Sequence, residues 1–225
     1  MGRSEHLKAD GFLDPAATPE AIEARSFAII DAEVTVKPFS GLAWEVARRL
    51  VHTSGDISLL SSLCLPEEAI LKGAEAIRKG CPVFTDTEMA RAGITMRRLE
   101  RFGCAVSCVL ARQGLAETSA RKGITRTRAG IEALGGDMKD AILAIGNAPT
   151  ALLALLAHVA SGGPAPALVI GMPVGFVNAE ESKELLLQTP SLASLVIRGR
   201  RGGSPLAAAA VNALAIIAAR DAVSR

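Results

Sequence analysis

The strongest candidate for acid–base chemistry in this chain is a histidine at the end of a helical segment. Ser40 can cap that segment, Leu42, Trp44, Val46 and Leu50 give it an apolar face, and Thr53-Ser54-Gly55 ends it. His52 falls in its last turn, beside Arg48 and Arg49. Two readings are open. A histidine at a helix C-terminus can simply complement the macrodipole. Alternatively it is a proton donor whose pKa the arginines depress and the helix end raises. His6, in the N-terminal stretch, and His158, in the apolar Ala151–Ala160 segment, read as incidental. Three scattered histidines have no metal-ligand spacing. Cys64, Cys81, Cys104 and Cys108 form no Cys-x-x-Cys and read as buried free thiols.

The arginines carry the second chemistry, recognition of anions. Arg112, Arg121, Lys122, Arg126 and Arg128 lie among Thr118, Ser119, Thr125 and Thr127. Such a run is either a solvated helix face or an anion site built from guanidinium forks. A second group follows a short apolar run: Arg198-Gly199-Arg200-Arg201-Gly202-Gly203-Ser204-Pro205. There Ser204 reads as an N-cap with Pro205 at the first helical position, and glycines ahead of a helix N-terminus suit anions. No Gly-x-x-x-x-Gly-Lys-Ser/Thr is present, nor a Gly-x-Gly-x-x-Gly after the first strand, so a nucleotide site is disfavoured. There is no Ser-His-Asp triad and no carboxylate dyad.

These groups need a frame, and residues 141–182 supply its grammar. Ala141–Ile145 and Ala167–Ile170 have the length and branching of buried strands. Each ends at a loop, Gly146-Asn147-Ala148-Pro149-Thr150 and Gly171-Met172-Pro173-Val174-Gly175, and a helical pattern follows. Further strands end near Phe84, Leu110 and Ile197, and Thr85 or Asp86 is placed to cap the helix after Phe84. Repeated strand–loop–helix units predict an α/β fold, a three-layer doubly wound and mostly parallel sheet. Ligands of such sheets sit beyond the carboxyl ends of the strands. Arginines and helix N-termini meet there with Met172, Pro173 and Phe176, which describes a pocket for a large, flat, partly apolar ligand with several carboxylates.

Composition narrows the classes. Residues 1–20 read as an N-terminal arm and residues 21–225 as one domain. Mean hydropathy is +0.32, yet no run reaches the roughly 18 apolar residues of a membrane span. Leu206–Ala219 comes nearest and contains Asn212. The polar N-terminus carries no signal-peptide core, so a cytoplasmic location is expected. A net charge of +2 gives no field toward nucleic acid or membrane, and 3% aromatics offer few stacking platforms.

Several segments together resemble the precorrin-8X methylmutase family of cobalamin biosynthesis. They are Arg25-Ser26-Phe27-Ala28-Ile29-Ile30, Val51-His52-x-x-Gly55, Asp86-x-Glu88-Met89 and Gly93-Ile94-Thr95. Further along are Ile145-Gly146-Asn147-Ala148-Pro149-Thr150-Ala151-Leu152 and Gly171-Met172-Pro173-Val174-Gly175-Phe176-Val177. Glu181-Ser182-Lys183 and Arg198-Gly199-Arg200-x-Gly202-Gly203-Ser204 complete the series, in order and spacing over residues 20–215. The resemblance implies an isomerase that moves a methyl group from C-11 to C-12 of precorrin-8X, giving hydrogenobyrinic acid, or converts cobalt-precorrin-8 to cobyrinic acid. The shift is an acid-assisted 1,5-sigmatropic migration that uses no cofactor and no protein-bound metal. By resemblance His52 is the catalytic group. Arg25, Ser26, Arg49, Thr95, Arg126, Asn147, Thr150, Met172, Pro173, Gly175, Arg198, Gly203 and Ser204 are then substrate-binding. The family also implies a homodimer with the site near its interface. Arg201 and Asp56 match no family pattern. Two other readings compete: a corrinoid-precursor binding protein without turnover, and a flavodoxin-like nucleotide or flavin module.

Overall fold

The apolar runs of the second half form the interior of one sheet. The computed structural model describes residues 18–221. The chain divides into residues 1–36 and residues 37–225. The first unit holds α1 (Pro19–Glu33), where Thr18 accepts from the Ala21 amide at 3.3 Å and Pro19 opens the first turn. The expected arm lies outside the described residues up to position 17.

The second unit begins with α2 (Gly41–Ser54), closed by Gly55 in the left-handed region at φ 66°. Ser40 makes no side-chain capping bond there. A 3₁₀ segment, Ile57–Ser62, leads to β1 (Leu63–Cys64) and α3 (Glu67–Arg78). Then come β2 (Val83–Thr85), α4 (Glu88–Gly93), α5 (Met96–Glu100) and β3 (Val106–Cys108). They are followed by α6 (Leu115–Lys122), α7 (Arg126–Glu132), β4 (Ile142–Ile145) and α8 (Pro149–Ala160). The chain finishes with β5 (Leu168–Gly171), α9 (Ala179–Leu187), β6 (Ser194–Ile197) and α10 (Ser204–Asp221).

The strand order is β1-β6-β5-β4-β2-β3. All neighbours are parallel except β1, which pairs antiparallel with β6, Leu63 opposite Ile197. The five parallel strands therefore follow the flavodoxin-like doubly wound order, and the switch point falls between β2 and β4. β4, β5 and β6 are buried along their whole length, which explains runs without polar alternation. Phe84, Leu143, Ile145, Val169 and Val196 share one core with residues of α7, α8 and α9. The opposite face is covered by α3 and α10, with α2, α4 and α5 packed on α10.

This packing accounts for the segment that most resembled a membrane span. α10 is buried on nearly every side, from Leu206 through Ala218, because helices flank it and the sheet lies beneath it. Its alanines suit both helix propensity and close approach. No helix among the described residues is long and apolar enough to cross a membrane. The strand expected to end near Leu110 stops at Cys108 and covers only Val106–Cys108, so Cys104 lies outside it. All four thiols are free, and the hydrogen bond between Cys104 and Cys81 holds the Cys81 thiol far above its usual range.

Candidate functional site

At the switch point a carboxylate faces the loop after β4. Asp86 follows β2 directly. Its Oδ1 accepts from the Gly146 amide at 3.0 Å, and its Oδ2 accepts from Asn147 and Ala148, each at 2.7 Å. The N-terminus of α8 is thereby answered by a buried internal anion. Burial pushes the Asp86 pKa up, and the three amides oppose that shift. One expectation is corrected here. Neither Thr85 nor Asp86 caps α4; Thr87 does, accepting from Ala90 at 3.1 Å. The amides of residues 146–148, just ahead of α8, are taken by Asp86.

The loops after β4, β5 and β6 are knotted to one another. The Met172 amide donates to Ile145 O at 2.8 Å, Gly203 donates to Met172 O at 2.9 Å, and Gly175 donates to Arg200 O at 3.1 Å. A Cβ on Gly202 would lie 2.1 Å from Met172 O and 2.9 Å from Pro173 O, so no side chain fits between the loops. A Cβ on Gly146 would meet Ser204 Cα at 2.7 Å. Thr87 and Ser204 share a hydroxyl–hydroxyl bond of 2.8 Å, tying the start of α4 to the start of α10. Ser204 is not the N-cap of α10. Gly203 supplies the first helical carbonyl, accepting from Leu206 and Ala207.

Lys183 staples the knot from below. It is fully buried, and its Nζ donates to Pro173 O at 3.0 Å and Arg201 O at 2.8 Å. Burial pushes its pKa down to about 8, against the pull of Glu180 and Glu184. A neutral amine retains two N–H donors, one for each carbonyl. The signal was present in the sequence: Ala179, Ser182, Lys183 and Leu186 form the buried stripe of α9, and a lysine within such a stripe needs a polar partner.

His52 comes to this rim through the chain that follows it. Arg201 forms an ion pair with Asp56 and donates to Ser58 Oγ at 2.8 Å. The 3₁₀ segment then delivers Ser62, whose carbonyl accepts from Arg198 at 2.7 Å, and β1 pairs back along β6. The last turn of α2 is therefore held beyond the carboxyl end of β6, and His52 on it is exposed. At its other end α2 is tied to α10 by Arg220 and Glu45. Of the two histidines among the described residues, His158 stands at the opposite end of the sheet. It occupies the last turn of α8, nine residues below Pro149 or roughly 13 Å along the axis, and its buried Nε2 has no hydrogen-bond partner.

The expected site residues fall into three groups. Asn147, Met172, Pro173, Gly175, Arg198, Gly203 and Ser204 meet at the rim, although Met172 and Pro173 are buried and present backbone rather than side chain. Thr150 joins them in the first turn of α8. The 2.8 Å bond between Thr125 and Thr150 draws in the start of α7 and with it exposed Arg126. Thr95 lies lower, its amide donating to Asn212 Oδ1 at 2.8 Å, two turns down α10 from Ser204. Arg49 is half-buried on α2. Arg25 and Ser26 lie on α1, within residues 1–36.

The rim is cationic and apolar at once. Arg200 stacks over Phe176 at 5.3 Å, and Arg198 lies 3.6 Å from Glu184. Phe176 is 83% exposed and Val177 78%, beside Val174 at 43%. Elsewhere the basic stretch is a paired, solvated face: Arg112 bonds Asp137, and Lys122 and Arg128 both bond Glu132. A cavity of about 810 Å³ opens at the opposite edge of the sheet, near Pro82, Asp140 and Ala167. Among its charged lining residues, Glu68 pairs with Lys72, and Glu75 with Arg78 and Lys79. No group of three or more potential ligands among the described residues is placed to hold a metal.

The precorrin-8X methylmutase family model matches residues 21–217. A cobalt-precorrin-8 methylmutase of Salmonella typhimurium is 40% identical over 205 residues, covering 87% of this chain and 94% of that protein. A precorrin-8X methylmutase of a Sinorhizobium species is 38% identical over 196 residues, 87% of this chain and 93% of its own. A crystal structure of a precorrin-8X methylmutase from Thermus thermophilus superposes with a TM-score of 0.82 at 38% identity, covering 89% of this chain and 98% of that one.

Proposed function

The chain belongs to the precorrin-8X methylmutase family, isomerases of cobalamin biosynthesis that transfer a methyl group within one molecule, and from that premise we propose that His52 drives the migration by protonating the macrocycle. The ligand lies across the loops after β4, β5 and β6, and the methyl group passes from C-11 to C-12. The observation that carries the reading is positional. Among the described histidines, His52 alone belongs to a segment tied to the carboxyl-end rim, while His158 is at the far edge. A 1,5-sigmatropic shift needs no external nucleophile and no electron carrier, so one proton donor suffices. Protonating the ring favours the tautomer that rearranges, and such assistance supplies about 10²–10⁴-fold. The knotted loops contribute the rest by holding a single tautomer. Incubating the protein with precorrin-8X and following absorbance tests the activity. Tight binding without spectral conversion would favour the corrinoid-binding alternative.

The relatives named above act on precorrin-8X or on cobalt-precorrin-8, and both macrocycles carry carboxylates around the ring edge. Arg126, beside Thr150, and Arg198 and Arg200, on the β6–α10 loop, are placed to receive them. Arg126→Ala is expected to weaken product binding by about 1.5–3 kcal/mol once the ligand has covered the guanidinium. The affinity should also fall as salt rises. Unchanged product affinity on titration would assign Arg126 to the solvated face of α7.

A homodimer completes this reading. Phe176 and Val177 are exposed in the single chain at the edge of the site, and a second copy would cover such side chains while enclosing a flat ligand. Light scattering at micromolar concentration should report a dimer. A monomer with full turnover would contradict it.

A further inference from the structure

We propose that Asp56 and Arg201 are positioning residues for His52, a clamp that fixes the last turn of α2 against the loop after β6. The inference rests on the reading of His52 as proton donor. Arg201 reaches across 145 positions of sequence to Asp56 and Ser58. Asp56 is itself immobilised: it accepts from the Ser58 amide at 2.9 Å and the Ser58 hydroxyl at 2.7 Å. The turn between His52 and Asp56 is bonded throughout. Thr53 Oγ1 donates to Arg49 O at 2.9 Å, Ser54 Oγ donates to Val51 O at 3.1 Å, and the Asp56 amide donates to Ser54 Oγ at 3.2 Å. Little slack remains between the carboxylate and the imidazole four residues earlier.

The other end of the clamp is anchored in the core. Lys183, fully buried, holds the Arg201 carbonyl at 2.8 Å and the Pro173 carbonyl at 3.0 Å. Core lysine, rim loop, ion pair and helix end thus form one mechanical chain. The loop that Lys183 holds is the one on which the ligand would rest. The clamp therefore sets the distance between donor and ring, a distance on which proton transfer depends steeply.

Energetics separate this role from a structural one. The two side chains are 42% and 40% exposed, and half-exposed ion pairs add little to stability. A substrate-binding role for Arg201 is the competing assignment. It would require the guanidinium to leave Asp56 and Ser58, and it would leave Asp56 with no part in catalysis.

The test compares Asp56→Asn, Arg201→Gln, the double variant, the charge exchange Asp56→Arg with Arg201→Asp, and His52→Ala. Each is measured for single-turnover methyl migration, product affinity and melting temperature. The clamp predicts that each single variant lowers kcat by about tenfold. Product affinity and melting temperature should stay close to the parent. The double variant should be no worse than either single, and the charge exchange should restore part of the rate. Multiplicative losses, unchanged kcat, or a loss of product affinity confined to Arg201→Gln would overturn it. Normal turnover by His52→Ala would remove the reading beneath the clamp, and the clamp with it. Impaired His52→Ala beside unimpaired Asp56→Asn and Arg201→Gln would remove the clamp alone.

Discussion

Asp86→Ala is expected to destabilise the folded chain by about 3 kcal/mol and to lower its melting temperature by roughly 6–12 °C. The substitution strips the acceptor from three amides at once, those of Gly146, Asn147 and Ala148, and two of these residues are buried. It also removes the negative charge from the start of α8. Asp86→Asn should cost about half as much. Its amide oxygen can serve the Asn147 and Ala148 amides, but its NH₂ then faces the Gly146 N–H. Against that loss stands a gain. Burial holds the Asp86 pKa above its ordinary 3.8, so the stability linked to its protonation is present below that value and is lost as pH rises through the higher folded value. In its ionised form the carboxylate therefore carries a desolvation cost that asparagine escapes. Thermal unfolding of both variants checks the order. An Asp86→Ala protein as stable as its parent would show that the three amides find water instead.

The fold was legible where burial dictates sequence. Ile142–Ile145, Leu168–Gly171 and Ser194–Ile197 are buried on both faces, so they read as continuous apolar runs with loops at fixed ends. β1 escaped notice because two residues carry no periodicity. The loops of the candidate site were legible as strand-end loops where a segment is itself a signature, as in residues 146–150 or 198–204. The candidate site was not legible where function depends on pairs remote in sequence. Asp86 and Gly146 lie 60 positions apart, and Thr87 and Ser204 lie 117 apart. A local reading assigns Asp86 to the nearest helix start, whereas the switch point gives it to a different loop. Ser204 departs from the expected N-cap for a related reason. Gly203 already provides the first carbonyl of α10, which leaves the serine hydroxyl to Thr87. Arg201 and Asp56, individually unremarkable, acquire a role only as a pair.

His52→Ala is expected to lower kcat by about 10²-fold or more while leaving the fold and tight product binding largely intact. Gly55, in the left-handed conformation, ends α2 one turn after His52. The ion pair between Asp56 and Arg201, together with the return of β1 along β6, holds that end at the rim. The rim loops are packed backbone to backbone, so the surface proposed to receive the ligand is preorganised. Removing the imidazole deletes the proposed proton donor without touching any of these supports. His52 is exposed and lies outside the core, so stability should change little. His52→Asn separates two forms of assistance. Activity as low as that of the alanine variant indicates proton transfer, and partial retention indicates that a hydrogen bond to the ring is enough.

The most direct measurement is single-turnover methyl migration by His52→Ala, followed by absorbance with enzyme in excess over precorrin-8X and paired with the product dissociation constant of the same preparation. The account predicts a rate at least about 10²-fold below the parent with product affinity within a few-fold of it. A variant that migrates the methyl group at the parental rate would contradict it and return His52 to the electrostatics of a helix end.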